Sequence, residues 1–123
     1  MNPNPPNTTS TLITSVNGTF AEREARLSEY GEVFNFGMVD TEDKGRDAGE
    51  FFNMHNVDIV FSHAATYYTS ACVLPVHQIS KAPAVILNLQ PTPEMSYETT
   101  GTDRWLAQCV GCSIPEISNA FNR

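Results

Sequence analysis

Two stretches decide the fold: VDIVFSH at Val57–His63 and PAVILNLQ at Pro83–Gln90. Both are short, rich in β-branched residues and almost continuously apolar. That is the pattern of parallel strands buried on both faces, not of half-exposed antiparallel ones. Between them SACVLPVHQISKA (70–82) has room for a crossover helix, in which Pro75 must lie in the first turn or kink the helix. Upstream, EVFNFGMVD (32–40) alternates Val33, Phe34, Phe36 and Met38, and predicts a strand over Glu32–Phe36. Thr41 is placed to cap a helix with Ala48, Phe51, Phe52 and His55 at helical spacing. The segment TFAEREARLSEYG (19–31) reads as a helix with Phe20, Leu27 and Tyr30 on one side, ended by Gly31 in a left-handed cap. Helix, strand, helix, strand, helix, strand is the order of a parallel α/β sheet with right-handed crossovers.

The flanks differ in character. MNPNPPNTTST (1–11) holds three prolines, three asparagines and four hydroxyl residues with almost nothing to bury, so residues 1–18 are expected to be a disordered or poorly attached leader to a domain over 19–123. After Gln90 comes a proline-marked loop, PTPEMSYETTGT, then a helix over Asp103–Val110 interrupted by Gly111. Ser113 and Glu116 form a capping box around Pro115, with Ile117, Ala120 and Phe121 at helical spacing behind it. That helix reaches Arg123 after about two turns without a C-cap, so the domain is expected to be partial, truncated at its C-terminal end.

Composition narrows the function classes. A chain of 123 residues and 13.6 kDa suffices for one core. Seven basic and fourteen acidic side chains leave a net charge of −7, which argues against nucleic acid and anionic membrane surfaces as partners. No apolar run approaches the ~18 residues of a membrane span. The first charged side chain is Glu22, so no basic region opens a signal peptide. Three cysteines are too few and odd in number for a disulfide framework, and a reducing, cytoplasmic setting is expected; the sequons at Asn7 and Asn17 are then chance matches.

Ligands of open parallel sheets bind outside the carboxyl ends of the strands. Met38–Thr41, Ser62–Thr69 and Asn88–Glu94 reach that edge and offer Asp40, His63, Thr66, Tyr67, Tyr68, Asn88, Gln90 and Glu94. Hydroxyls, amides and aromatic faces suit a small polyhydroxylated ligand, whose many donors and acceptors alternate with apolar C–H faces; the competing reading is ordinary loop residues capping strands. Cys109-Val-Gly-Cys112 spans a helix end where a redox pair would open a helix after a strand, and Cys72, His55, His63 and His77 lack metal-like spacing. The cysteines therefore read as packing residues. His63 reads as an acid, base or ligand, or as a hydrogen-bonded structural residue; His55 and His77 as cover for apolar surface; Trp105 as packed. No G-x-G-x-x-G, G-x-x-x-x-G-K or G-x-S-x-G is present.

Four ordered blocks carry a family likeness: GMVDT (37–41), NVDIVFSHAATYYTSACVLPVHQ (56–78), APAVILNLQP (82–91) and WLAQCVGCSIPEISNAF (105–121). From about Tyr30 onward the chain resembles the N-terminal region of L-arabinose isomerase-like proteins, in the L-fucose/L-arabinose isomerase superfamily. The resemblance implies a three-layer Rossmann-like (flavodoxin-like) parallel sheet flanked by helices. It implies a sugar pocket, for a pentose or hexose, bordered by His63 to Tyr68 and by the Asn88-Leu89-Gln90-Pro91 turn, with Gln90 first and His63, Tyr67 and Asn88 next as sugar-binding residues. The family's aldose–ketose isomerases use a divalent metal, typically manganese, held by later residues that nothing in this chain matches. The resemblance thus implies a non-catalytic sugar-pocket and assembly domain, acting in a homo-oligomer or with the remaining part of an isomerase. A stand-alone sugar-binding or regulatory module and a self-associating structural protein are the alternatives.

One departure bears on folding. Family members open with a strand and a Gly-rich loop, where this chain has MNPNPPNTTSTLITSVNG (1–18). In the order 2-1-3-4 the missing strand is the central one, leaving exposed edges. Leu12–Val16, another chain, or a rearrangement of strands must fill that place.

Overall fold

The computed structural model describes residues 8–13, 20–64, 69–89, 93–102, 105 and 114–121. The elements run β1 (Thr8–Ile13), α1 (Phe20–Ser28), β2 (Glu32–Asn35), α2 (Glu42–Met54), β3 (Ile59–Ala64), α3 (Ser70–Ile79), β4 (Ala84–Asn88) and α4 (Ile114–Phe121). The four strands form one parallel sheet in the order β2-β1-β3-β4.

The expected leader is corrected at its centre. Thr8–Ile13 is the inner strand β1, with Thr8 opposite Glu32 on one side and Ile13 opposite His63 on the other. The chain therefore fills its own central position, slightly upstream of Leu12–Val16. Threonine and isoleucine are β-branched and tolerate extended backbone, and pairing with β2 and β3 on both sides makes the segment a strand.

Alternation along β3 sorts the two sides of the sheet. Val60 is fully buried in the main cluster with Ala48 and Phe52 of α2 and Val73 and Val76 of α3. His63, of opposite parity, meets Arg23 of α1. Residues of opposite parity on β3 thus take their partners from different helices, Val60 from α2 and α3 and His63 from α1. Helix α1 touches β1 and β2 but leaves its face of β4 thinly covered, and Val85 is 40% exposed. The expectation that Pro83–Gln90 is buried on both faces is corrected accordingly: β4 is a sheet edge, while β3, between two strands, is buried.

Helices α2 and α3 pack in unusually close contact. A Cβ at Gly45 would come 2.2 Å from the Cys72 carbonyl oxygen, and one at Gly49 would come 2.7 Å from the Ile79 Cβ. The spacing of the two glycines by four places both on one face of α2. At its start, Thr41 accepts a hydrogen bond from the Lys44 amide, as its position predicts. At its end, His55 is followed by Asn56 in the left-handed region, at φ 49°. The Asn56 amide donates to the Asn53 carbonyl and the Val57 amide to the Phe52 carbonyl, a Schellman motif with Phe52 and Val57 joined in the core.

Three details depart from expectation, at Gly31, Tyr30 and Trp105. Gly31 is not left-handed; Gly37, at φ +100°, is the glycine that needs positive φ. Tyr30 lies beyond α1 and is 75% exposed, because the helix ends at Ser28. Pro75 is the sixth residue of α3, past the first turn, so the bond to the Ala71 carbonyl is missing from the helical ladder. Trp105 is half-exposed instead of packed. Ser113, Cys109 and Cys112 lie outside the described residues. No helix among the described residues is long and apolar enough to cross a membrane.

Candidate functional site

Strand order reverses direction between β1 and β3: the first crossover leads from β1 outward to β2, and the next returns past it to β3. In open parallel sheets such a switch point is where ligands bind, outside the carboxyl ends of the two strands. Ile13 and His63 are paired there.

His63 is 4% exposed, and its ring nitrogens lie against one guanidinium nitrogen of Arg23. The Arg23 Nη1 is 3.0 Å from Nδ1 and also contacts Nε2. Arginine has only donors, so the imidazole accepts through whichever nitrogen lacks a proton. Burial, reinforced by the Arg23 charge, lowers the His63 pKa to about 4, so the ring is neutral at pH 7. Burial also lowers the Arg23 pKa from its ordinary value, opposed by the Glu22 carboxylate.

Arg23 was missed in the sequence reading, although its spacing marks it. It stands three residues after Phe20 and four before Leu27, on the same stripe of α1 as those two apolar residues. An arginine on an inner stripe needs a polar destination for its head.

Asn88 also reaches the carboxyl edge, as the last residue of β4, but its ladder partner is Ala64. Alternation therefore places Asn88 on the face opposite His63. The edge brings the two together along the sheet and separates them across it. Tyr67 and Gln90 lie outside the described residues, as do Thr66 and Tyr68.

Asp40 is exposed and occupied locally. Its carboxylate accepts a hydrogen bond of 2.6 Å from the Lys44 ammonium, which holds its pKa below the ordinary carboxylate value. Its backbone carbonyl accepts from the Cys72 Sγ at 3.4 Å, and Thr69 Oγ1 lies 3.5 Å from the same sulfur. Cys72 thus ties the start of α3 to the loop before α2. Glu94 is exposed. His55 stacks against Phe34 and Phe51, with centroids 4.5 and 4.2 Å away, and donates from Nδ1 to the Phe51 carbonyl. His77 is buried, which lowers its pKa to about 4.

An open depression of about 340 Å³ lies at the other end of the sheet, where Val57 and Asp58 precede β3 and Lys81 to Pro83 precede β4. It faces away from the edge where parallel sheets take ligands. Among the described residues, no group of three histidine, cysteine or acidic side chains is arranged to hold a metal ion. The described side chains thus do not fit the manganese that the resemblance implies for the complete enzyme. No protein-family model matches the chain, and no curated protein matches its sequence significantly.

Proposed function

We propose that this chain is a sugar-pocket domain on a three-layer Rossmann-like, flavodoxin-like fold, of the kind found at the N-terminus of aldose–ketose isomerases acting on L-arabinose or L-fucose. It contributes binding and assembly surface and does not itself catalyse isomerisation. The observation that carries the reading is the place of His63: a buried, neutral imidazole at the carboxyl ends of the two strands flanking the switch point. Hydroxyl and amide residues dominate the chain that follows β1, β3 and β4, at 14–19, 65–69 and 89–93, which suits a ligand of many hydroxyl groups. The four blocks resembling the isomerase family supply the reaction class.

A second reading, a stand-alone sugar-binding module, is favoured by one observation. The central strand β1 belongs to this chain, so its sheet needs no strand from a partner. Calorimetric titration of the whole chain with L-arabinose and L-fucose, with and without manganese, together with its mass by light scattering, tests both. Sugar binding without metal by a monomer supports the stand-alone module. Binding that appears only in an oligomer, or on adding an isomerase part that supplies metal ligands, supports the first reading. No binding under either condition overturns both.

A further inference from the structure

We propose that the outer edge of β4 is the contact surface for a second copy of this chain, the two β4 strands pairing antiparallel about a two-fold axis at Ile86 into one continuous sheet. The inference goes beyond the sugar reading and needs no ligand.

Backbone direction fixes the register. The Val60 amide donates to the Pro83 carbonyl at 2.9 Å. Along a strand the backbone groups of successive residues turn to alternate sides, so Pro83, Val85 and Leu87 face β3. Ala84, Ile86 and Asn88 then turn their N–H and C=O groups outward, where no further strand pairs among the described residues. Placing Ile86 opposite its counterpart in a second copy sets Ala84 opposite Asn88 on either side. Each of these positions becomes a hydrogen-bonded pair of an antiparallel ladder, in which the two residues exchange N–H···O bonds. One symmetric arrangement thus satisfies every outward backbone group of the strand.

The same register covers apolar side chains that the fold leaves bare. Val85 and Leu87 share their parity with Phe61 and His63 of β3, on the face that α1 covers mainly over β1 and β2. Val85 is 40% exposed, and Leu89, the residue after the strand, is 41% exposed. Between the two copies Val85 falls opposite Leu87 in a non-hydrogen-bonded pair, where side chains approach most closely. Ile86, on the core face, meets only its own counterpart.

Charge selects this edge. Two copies of a chain of net charge −7 repel unless they meet through uncharged surface. Residues 82–93 contain no Asp, Glu, Lys or Arg, and β4 has within it no charge, proline or bulge of the kind that blunts a sheet edge. The opposite edge, β2, opens on the exposed Glu32. Because both copies use the same edge, the contact closes as a dimer and does not propagate into a fibre. A single short strand pair buries less than a standard interface, which makes the dimer weak and concentration-dependent.

Sedimentation equilibrium and amide hydrogen exchange on the whole chain, without ligand, test this. We expect the mass to rise from monomer to dimer between about 10 µM and 1 mM, as suits a weak interface. Over the same range the Ala84, Ile86 and Asn88 amides should become protected, while those of Val85 and Leu87, bonded to β3, are protected throughout. Val85→Lys is expected to raise the dimer dissociation constant at least about ten-fold, by setting a charge in the paired stripe. The alternating exchange pattern is read on the unaltered protein, so it does not depend on the variant folding. A chain still monomeric at about 1 mM overturns the proposal, whether its outward amides exchange freely or are protected by the chain's own cover. A dimer whose Ala84, Ile86 and Asn88 amides exchange freely is joined elsewhere and also overturns it. A mass that climbs past the dimer overturns the two-fold closure. None of these measurements contains sugar, so their failure leaves the sugar-pocket reading standing.

Discussion

Gly45 and Cys72 stand so close that a single methyl group on the first would come 2.2 Å from the carbonyl oxygen of the second. The obstacle is backbone, tied at Cys72 Sγ to the Asp40 carbonyl and near Thr69, so it cannot swing aside as a side-chain tip would. In an open helix interior, Gly→Ala stabilises by about 1 kcal/mol. Here overpacking, typically about 1–3 kcal/mol, opposes that gain. Gly45→Ala is expected to lower stability, read as a lower denaturant midpoint at unchanged slope. Gly49→Ala meets the Ile79 Cβ at 2.7 Å and is expected to act in the same direction. A raised midpoint in Gly45→Ala would show that the helices can separate freely and would refute the close packing.

Asn53 bridges the end of α3 to the chain beyond it. Its Nδ2 donates to the Ile79 carbonyl at 2.8 Å and its Oδ1 accepts from the Lys81 amide at 2.8 Å. Both backbone groups lie at a helix terminus, where no helical partner exists for them. Asn53→Ala removes both bonds and is expected to destabilise by about 1–3 kcal/mol. Unfolding by urea measures this; a change within error would mean that water replaces the amide fully.

Asn56 holds the left-handed position that ends α2. Glycine adopts that conformation without a Cβ penalty, and asparagine is the next best tolerated. Asn56→Gly is expected to be neutral or to stabilise by up to about 1 kcal/mol, whereas Asn56→Ala should destabilise by about 1–2 kcal/mol. The two variants measured side by side separate backbone conformation from side-chain contacts. The same loss in both would point to the side chain.

Acid should weaken the fold before most carboxylates titrate. His63 and His77 both have a pKa near 4 in the folded protein, through burial and, for His63, the Arg23 charge. In the unfolded chain a histidine titrates near 6.5. Between about pH 6.5 and 4 the unfolded state binds protons that the folded state excludes, so stability falls as pH drops through this window and levels off below it for these groups. Asp40, whose pKa is lowered by its bond from Lys44, acts at lower pH still. Urea midpoints at pH 7.5, 5.5 and 4.5, with the ring resonances followed in parallel, measure the effect. Midpoints that do not change across this window, with rings titrating near 6.5, would contradict the burial of both side chains.

Much of the architecture is carried by local chemistry. The run of Val57–His63 marks β3 within two residues of where it starts, and Thr41 marks the start of α2, because strand burial and N-capping both act through nearest neighbours. Its place near the end of that strand also puts His63 at the carboxyl edge. What escaped were features that depend on a distant segment. Thr8–Ile13 becomes a strand because β2 and β3 pair with it from both sides, a stabilisation invisible in its polar composition. Tyr30 and Trp105 are exposed, which their local patterns do not report.

The candidate site divides along the same line. Residue type and position in a strand determined that His63 and Asn88 reach one edge. Only the tertiary structure decided that they leave it on opposite faces, since the register of β3 against β4 pairs Asn88 with Ala64. It also decided that the partner of His63 is Arg23, forty residues away in the chain, brought there by the packing of α1 against β1 and β2. Hydrophobic period and capping act over a few residues and can be read along a line. Register, helix-to-helix approach and the pairing of a guanidinium with an imidazole exist only after the chain has closed upon itself.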